Sequence, residues 1–200
     1  ELAAQQGADV YDLLAAEAAT VPPGSNGVLG IFSNLMEAKR WVHASPAFLQ
    51  FDIANPQRSG KKECFRAIEE AAAYVSRGHL EIVEEVAGPA VDEVIFTGGA
   101  SKGRLWPQIL ADVLDLPVRI PRVKESTALG TAICAGVGIG LYSSLSDAAR
   151  LVRFDATVEP QPEAARQYRS LYDQWRTVYE RMLDISEDGV VRSLWRAAGT

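Results

Sequence analysis

Apolar residues recur along this chain in two patterns, helical spacings of three and four and short continuous runs. From Lys61 to Ala87, the residues Phe65, Ile68, Ala72, Val75, His79, Ile82 and Val86 keep the helical spacing, which predicts a long helix with these side chains on its buried face. A second long helix is predicted over 163–183, with Tyr168, Leu171, Tyr172, Trp175, Val178, Tyr179 and Met182 as its apolar stripe. Aromatic residues at that spacing read as core rather than as a cofactor site. The Ala- and Leu-rich residues 2–20 predict another helix, stopped by the Pro/Gly/Asn cluster at 21–27. Shorter helices are expected over 104–114, 127–141 and 146–152. The runs at 28–32, 48–53, 93–96 and 118–120 read as strands, 33–47 as loop, and the tail 188–200, carrying Trp195, is expected to dock on the body. Helices alternating with short strands give an α/β or α+β domain.

Chemistry is best placed at Thr97-Gly98-Gly99-Ala100-Ser101-Lys102-Gly103, between the apolar run at 94–96 and the amphipathic stretch from Leu105. Adjacent glycines carry no Cβ and permit positive φ, so the main chain can approach a ligand closely. A helix that follows such a turn directs unpaired N–H groups and partial positive charge back toward it. That combination suits a phosphate or the polar rim of a nucleotide. The spacing is neither the dinucleotide fingerprint G-x-G-x-x-G nor a Walker loop ending in Gly-Lys-Ser/Thr. A plain structural turn between strand and helix remains the alternative.

The rest of the chain narrows the field. With 48% hydrophobic and 23% charged residues, the 200-residue chain reads as an ordinary soluble domain. Its net charge of −6 argues against nucleic acid as the main partner but leaves room for ATP held by backbone and metal ion. Two cysteines, Cys64 and Cys134, and two histidines, His43 and His79, show no zinc spacing, and no secretory leader is visible, so a reducing cytoplasm is expected. The uncharged stretch 128–142 is shorter than the ~20 residues of a membrane span. It contains Gly130, Gly136, Gly138 and Gly140 and is expected to be a buried core helix, with Gly130, Cys134 and Gly138 as a small-residue packing face. Glu125-Ser126-Thr127 is expected to cap it. His79 reads as a packed histidine rather than a general base, because no carboxylate is placed beside it. Asp112 and Asp115 read as solvated face, Glu125 as a cap, and none of the three as a catalytic base.

Several segments, in order and spacing, resemble the C-terminal domain of the FGGY carbohydrate kinases. TGGASKGRLWPQILADVLDLPV (97–118) is similar to the family's adenosine-side motif, and ESTALGTAICAG (125–136) to its second C-terminal signature. FRAIEEAAAYV (65–75) resembles the Arg-Ala-x-x-Glu-Gly-x-Ala segment, with Glu70-Ala71 where Glu-Gly is usual, and VPPGSNGVLGIF (21–32) the glycine-rich entry to a strand. Within the family, KRWVHASPAFLQFDI (39–53) and SLWRAAG (193–199) are most similar to the autoinducer-2 kinase branch and differ from the xylulose and glycerol kinases.

The resemblance implies an α/β, ribonuclease H-like fold of the actin/hexokinase ATPase type. Residues 1–200 would be most of the second domain of a two-domain sugar kinase, without its first strands and its N-terminal domain. It implies Mg2+-ATP as phosphoryl donor, a sugar-like acceptor, and a catalytic Asp, sugar-binding residues and γ-phosphate hairpin all upstream of Glu1. Carried over to this chain are Gly98, Gly99 and Ala100 at the nucleotide and Ser101 as cap of the adjoining helix, with Lys102 and Gly103 completing the turn. Some members place an adenine-contacting Asn where Gly103 stands, which leaves Lys102 or Gln108 as substitutes here. The piece alone is expected not to phosphorylate anything and to bind ATP weakly. A pentulose kinase and a non-catalytic actin-fold binding module are the alternatives.

Overall fold

In the computed structural model, residues 7, 9–32, 34–35, 40, 42–88, 91–193 and 195 are described. Helix α1 (Val10–Ala18) starts at Asp9, whose carboxylate accepts from the Tyr11 N–H at 2.7 Å. This cap, overlooked in the periodicity, starts the helix later than the expected 2–20; residues 1–6 lie outside the described residues. Strands β1 (Leu29–Ile31) and β2 (Ala47–Leu49) pair antiparallel. Helix α2 (Lys61–Ala87) leads to β3 (Val94–Ile95), α3 (Leu105–Leu114), β4 (Val118–Pro121), α4 (Ser126–Gly138) and the short α5 (Leu145–Ala149). Strand β5 (Phe154–Val158) and helix α6 (Pro162–Glu187) follow. The second sheet runs β3-β4-β5, with β3 parallel and β5 antiparallel to β4. β5 was not expected, because only the two end residues of Phe-Asp-Ala-Thr-Val are even partly buried.

The core lies where α6 packs over α2 and β1. Tyr168, Tyr172, Trp175 and Tyr179 descend one face of α6 as expected, and Tyr74 of α2 packs against the first three with ring centroids 5.5–6.2 Å away. Trp175 is fully buried, and its indole N–H donates to the Gly30 carbonyl at 2.9 Å. Gly30 is where β1 crosses α2: a Cβ there would sit 2.8 Å from the Ala67 carbonyl oxygen, so only glycine allows the approach. Of the tail, Trp195 docks as expected, its carbonyl accepting from the His43 N–H at 2.7 Å.

Helix α2 corrects its sequence reading. Its buried face is Glu63, Arg66, Ala67, Glu70, Ala71, Tyr74, Val75 and Gly78, whereas Ile68 and Val86 of the expected stripe are exposed and only Val75 of that stripe is buried. Hydrophobic periodicity scores Glu63, Arg66 and Glu70 as surface. Here each is buried with partners. The Glu70 carboxylate accepts from the Gly24 N–H (3.0 Å), Ser25 Oγ (2.8 Å), Arg66 Nε (2.9 Å) and Tyr168 Oη (2.8 Å). Glu63 accepts from the Gly60 N–H at 3.0 Å and Asn26 Nδ2 at 3.2 Å. Burial of charge is tolerated only with such pairing.

Two further expectations change. Helix α4 is not a buried core helix: Gly136 is its one fully buried residue, and a Cβ added at Gly130 or Gly138 would meet no described atom within 4 Å. Lack of charge was a sound sign of an apolar surface, but the short α5 that packs against it leaves most of it exposed. Its N-terminus lacks the expected cap, since Glu125 sits at the cap position without a side-chain hydrogen bond. Asp112 is not solvated face either. At 5% exposure it accepts from the Gln161 N–H (2.7 Å) and Gln108 Nε2 (2.9 Å), tying α3 to the start of α6, and burial raises its pKa. Asp115 is exposed as expected, in a left-handed turn (φ 57°) ending α3 and paired with Arg169 at 2.7 Å.

Candidate functional site

The glycine turn grows out of β3. After Val94 and Ile95 pair with β4, the chain bends at Gly98, whose φ of 83° and ψ of −169° belong to a region that side-chain-bearing residues avoid. The Gly98 N–H and Thr97 Oγ1 both donate to the Lys124 carbonyl, at 3.0 and 3.1 Å, which braces the turn against the β4–α4 connection. Gly99–Lys102 then form a single 3-10 turn before α3. Ser101 is buried inside it and donates to the Gly98 carbonyl at 2.8 Å. It therefore holds the turn and does not cap α3, whose cap position is Arg104. Pro107 in the first turn of α3 carries no N–H, which reduces the donors at that helix mouth.

The turn forms one wall of a groove of about 750 Å³. Gly99, Ala100, Lys102 and Gly103 line it together with Leu105 and Trp106 of α3. Phe65, Ile68 and Glu69 of α2 and Asp9, Tyr11, Asp12 and Ala15 at the start of α1 complete the lining. Added Cβ atoms at Gly98, Gly99 and Gly103 would meet no described atom within 4 Å, so the bend faces open space instead of being plugged by its own domain. Of the expected site residues, Gly99, Ala100, Lys102 and Gly103 therefore share the groove, whereas Ser101 turns inward and Gly98 shapes the bend. Lys102 Nζ lies 3.7 Å from Glu125 Oε1, both exposed. Gln108 is committed elsewhere, donating to Asp112 and to the Glu159 carbonyl at 3.0 Å. It is not positioned to substitute for an asparagine at position 103.

Glu69 is the residue that sequence reading missed. It is 5% exposed, lines the groove, and its Oε2 has no hydrogen-bond partner among the described residues. Burial, with the neighbouring Glu70 charge adding and Arg66 opposing, pushes its pKa up to about 7. The available signal was a pair of adjacent carboxylates between apolar residues, Ile68-Glu69-Glu70-Ala71. Periodicity alone assigns such a residue to solvent. His79 is not part of the groove lining, and burial lowers its pKa. Among the described residues no group of three or more His, Cys, Asp or Glu side chains could hold a metal ion, and no helix is long and apolar enough to cross a membrane.

The model of the C-terminal domain of the FGGY family of carbohydrate kinases matches residues 1–139. The chain belongs to that family. It is 45% identical over 199 residues to an autoinducer-2 kinase of Salmonella paratyphi B and 46% identical over the same length to one of Escherichia coli K12. Those alignments cover 99% of this chain but only 37% of each relative. Among solved structures, a xylulose kinase from Rhodospirillum rubrum superposes with a TM-score of 0.68 at 28% identity, over 86% of this chain and 34% of that one. A Plasmodium falciparum glycerol kinase solved with ADP superposes at 0.67 and 19% identity, over 91% of this chain and 36% of its own, and speaks to fold alone. The α/β actin/hexokinase-type architecture expected from the FGGY motifs is the one observed, as part of a C-terminal domain.

In this FGGY domain, Arg66 and Glu70 fasten α2 to the turn at Gly24-Ser25 and to α6, and so fix the wall of the groove that faces the glycine turn.

Proposed function

We propose that this chain is the nucleotide-side part of a cytoplasmic, ATP-dependent kinase that phosphorylates the linear dihydroxy-pentanedione form of autoinducer-2. The observation that carries this reading is the 45–46% identity to autoinducer-2 kinases along essentially the whole chain. The groove supports the nucleotide half of it. An open bend with bare main chain at Gly98 and Gly99 suits close approach of ribose and phosphate, and the facing apolar wall suits a purine. In this reading Gly99, Ala100, Lys102 and Gly103 contact the nucleotide, Ser101 and Thr97 hold the turn, and the remaining two thirds of the kinase supply the sugar site and the base. Mg2+-ATP would supply the phosphoryl group, with Gly99, Ala100, Lys102 and Gly103 holding its nucleoside end. The residues described here would bind and orient the nucleotide.

The intact enzyme should phosphorylate dihydroxy-pentanedione in strong preference to xylulose; a preference for xylulose would move the assignment to the pentulose kinases, which the R. rubrum structure favours as second reading. The nucleotide site has its own test in Gly99→Ala. The new methyl meets nothing within the domain, so thermal stability should hold while ATP affinity of the intact kinase falls about tenfold or more. Unchanged affinity would remove the turn from the site. The 200-residue chain by itself should bind ATP no better than about millimolar, because half a cleft covers too little ligand to offset its lost freedom.

A further inference from the structure

Glu69 stands out against the rest of the buried polar groups because its Oε2 lacks a partner among the described residues. Its neighbour Glu70 takes four donors, Glu63 two and Asp112 two, so the fold elsewhere satisfies its buried carboxylates. An acceptor left unpaired in a low-dielectric wall is destabilising. The orphan oxygen belongs to a residue that lines the groove together with the apolar side chains Phe65 and Ile68 and with Gly99 and Ala100 of the turn.

We infer that Glu69 reads the base of the bound nucleotide, its carboxyl group accepting a hydrogen bond from the exocyclic 6-amine of adenine. This rests on the nucleotide reading of the groove given above and goes further by assigning a specificity-determining side chain. The choice of donor follows from the chemistry of the walls. Ribose hydroxyls and phosphates belong beside the bare main chain of the turn, while the flat purine belongs between Phe65, Ile68 and Trp106. On that purine the 6-amine is the one N–H donor adenine offers. A 6-oxo purine presents an acceptor at the same place, lone pair against lone pair, and is disfavoured. The raised pKa of the Glu69 carboxyl leaves this contact intact, since a protonated carboxyl still accepts through its carbonyl oxygen and can donate its proton to a ring nitrogen of the same base. Discrimination of this kind arises because a buried polar group is left unpaired by the wrong ligand.

The test compares ATP with purine riboside 5′-triphosphate, which lacks only the 6-amine, by calorimetric titration of the intact kinase. The parent should bind ATP about tenfold tighter than the amine-free analogue. Glu69→Leu should bind the two equally, and Glu69→Gln, which keeps a carbonyl oxygen, should retain the preference. Equal binding by the parent, or an undiminished preference in Glu69→Leu, overturns the assignment; the parent comparison decides even if the leucine variant does not fold. Gly99→Ala separates this failure from failure of the site itself. If that variant weakens both nucleotides alike while Glu69→Leu keeps the ratio, the groove stands and only Glu69 is wrong. If it weakens neither, the nucleotide site is misplaced and the inference falls with it.

Discussion

Helix α2 has two flanks that differ by one position in sequence and by everything in environment. On one flank Arg66 and Glu70 are buried against α6 and the Gly24-Ser25 turn, with Arg66 Nη2 donating to Tyr168 Oη at 2.8 Å and Glu70 gathering four donors. The Tyr168 phenol is pushed up in pKa by burial and by the Glu70 charge, which keeps it a neutral donor to that carboxylate. On the other flank Glu69 is about as deeply buried and lines the groove, yet its Oε2 has no partner among the described residues. Saturated polar groups fix geometry; an unsatisfied one at a groove marks a place where a ligand completes the structure.

This contrast sets the scale of what substitutions should do. The largest effect belongs to the saturated flank. Glu70→Ala strips the partner from buried Arg66 and from Ser25 Oγ, and should cost about 3–5 kcal/mol in urea denaturation. A loss near that of a surface mutation would erase the distinction between the flanks. Glu69→Gln should act in the opposite direction and depend on pH. The carboxyl titrates near 4.5 when unfolded and about 7 when folded, so folding favours the protonated form. Its contribution is fully present below about pH 4.5 and is lost as pH rises through about 7. Burial sets this shift, with Arg66 lowering and Glu70 raising it from the same helix; Asp9, Asp12 and Lys102 line the same groove. The glutamine variant should therefore match the parent in thermal melts at low pH and exceed it at about pH 8. A constant gap across that range would mean the carboxyl is not held in its protonated form by burial. Smallest of all, Ile68→Ala should cost under about 1 kcal/mol, because Ile68 is 37% exposed on the groove rim despite its place in the apolar repeat. A loss of the 2–5 kcal/mol typical of core Ile→Ala changes would restore the stripe as the true core face.

That repeat shows how far sequence reading carried. The aromatic stripe of α6 was legible because its residues are large, regularly spaced and all apolar in bulk, and their burial follows from area alone. The same arithmetic misread α2, where the packed face is held by Glu63, Arg66 and Glu70, whose pairing is invisible to periodicity. The uncharged α4 was read as core, and it is an apolar surface open among the described residues. In the site, the bend at Gly98 and Gly99 could be placed from two adjacent glycines after a strand, and the FGGY signatures gave its setting. Ser101 closes its own turn onto the Gly98 carbonyl instead of capping α3, and Asp112 takes a partner from the start of α6, contacts that hydrophobic periodicity does not register.

The sequence by itself determined the helix–strand order, the left-handed bend that only glycine accepts, and the family, since these depend on local sterics and on residues close together in the chain. Only the tertiary structure decided which flank of α2 is core and which borders the groove. That choice depends on donors contributed from positions 24, 25 and 168, far from Glu70 in sequence, and on none being left for Glu69.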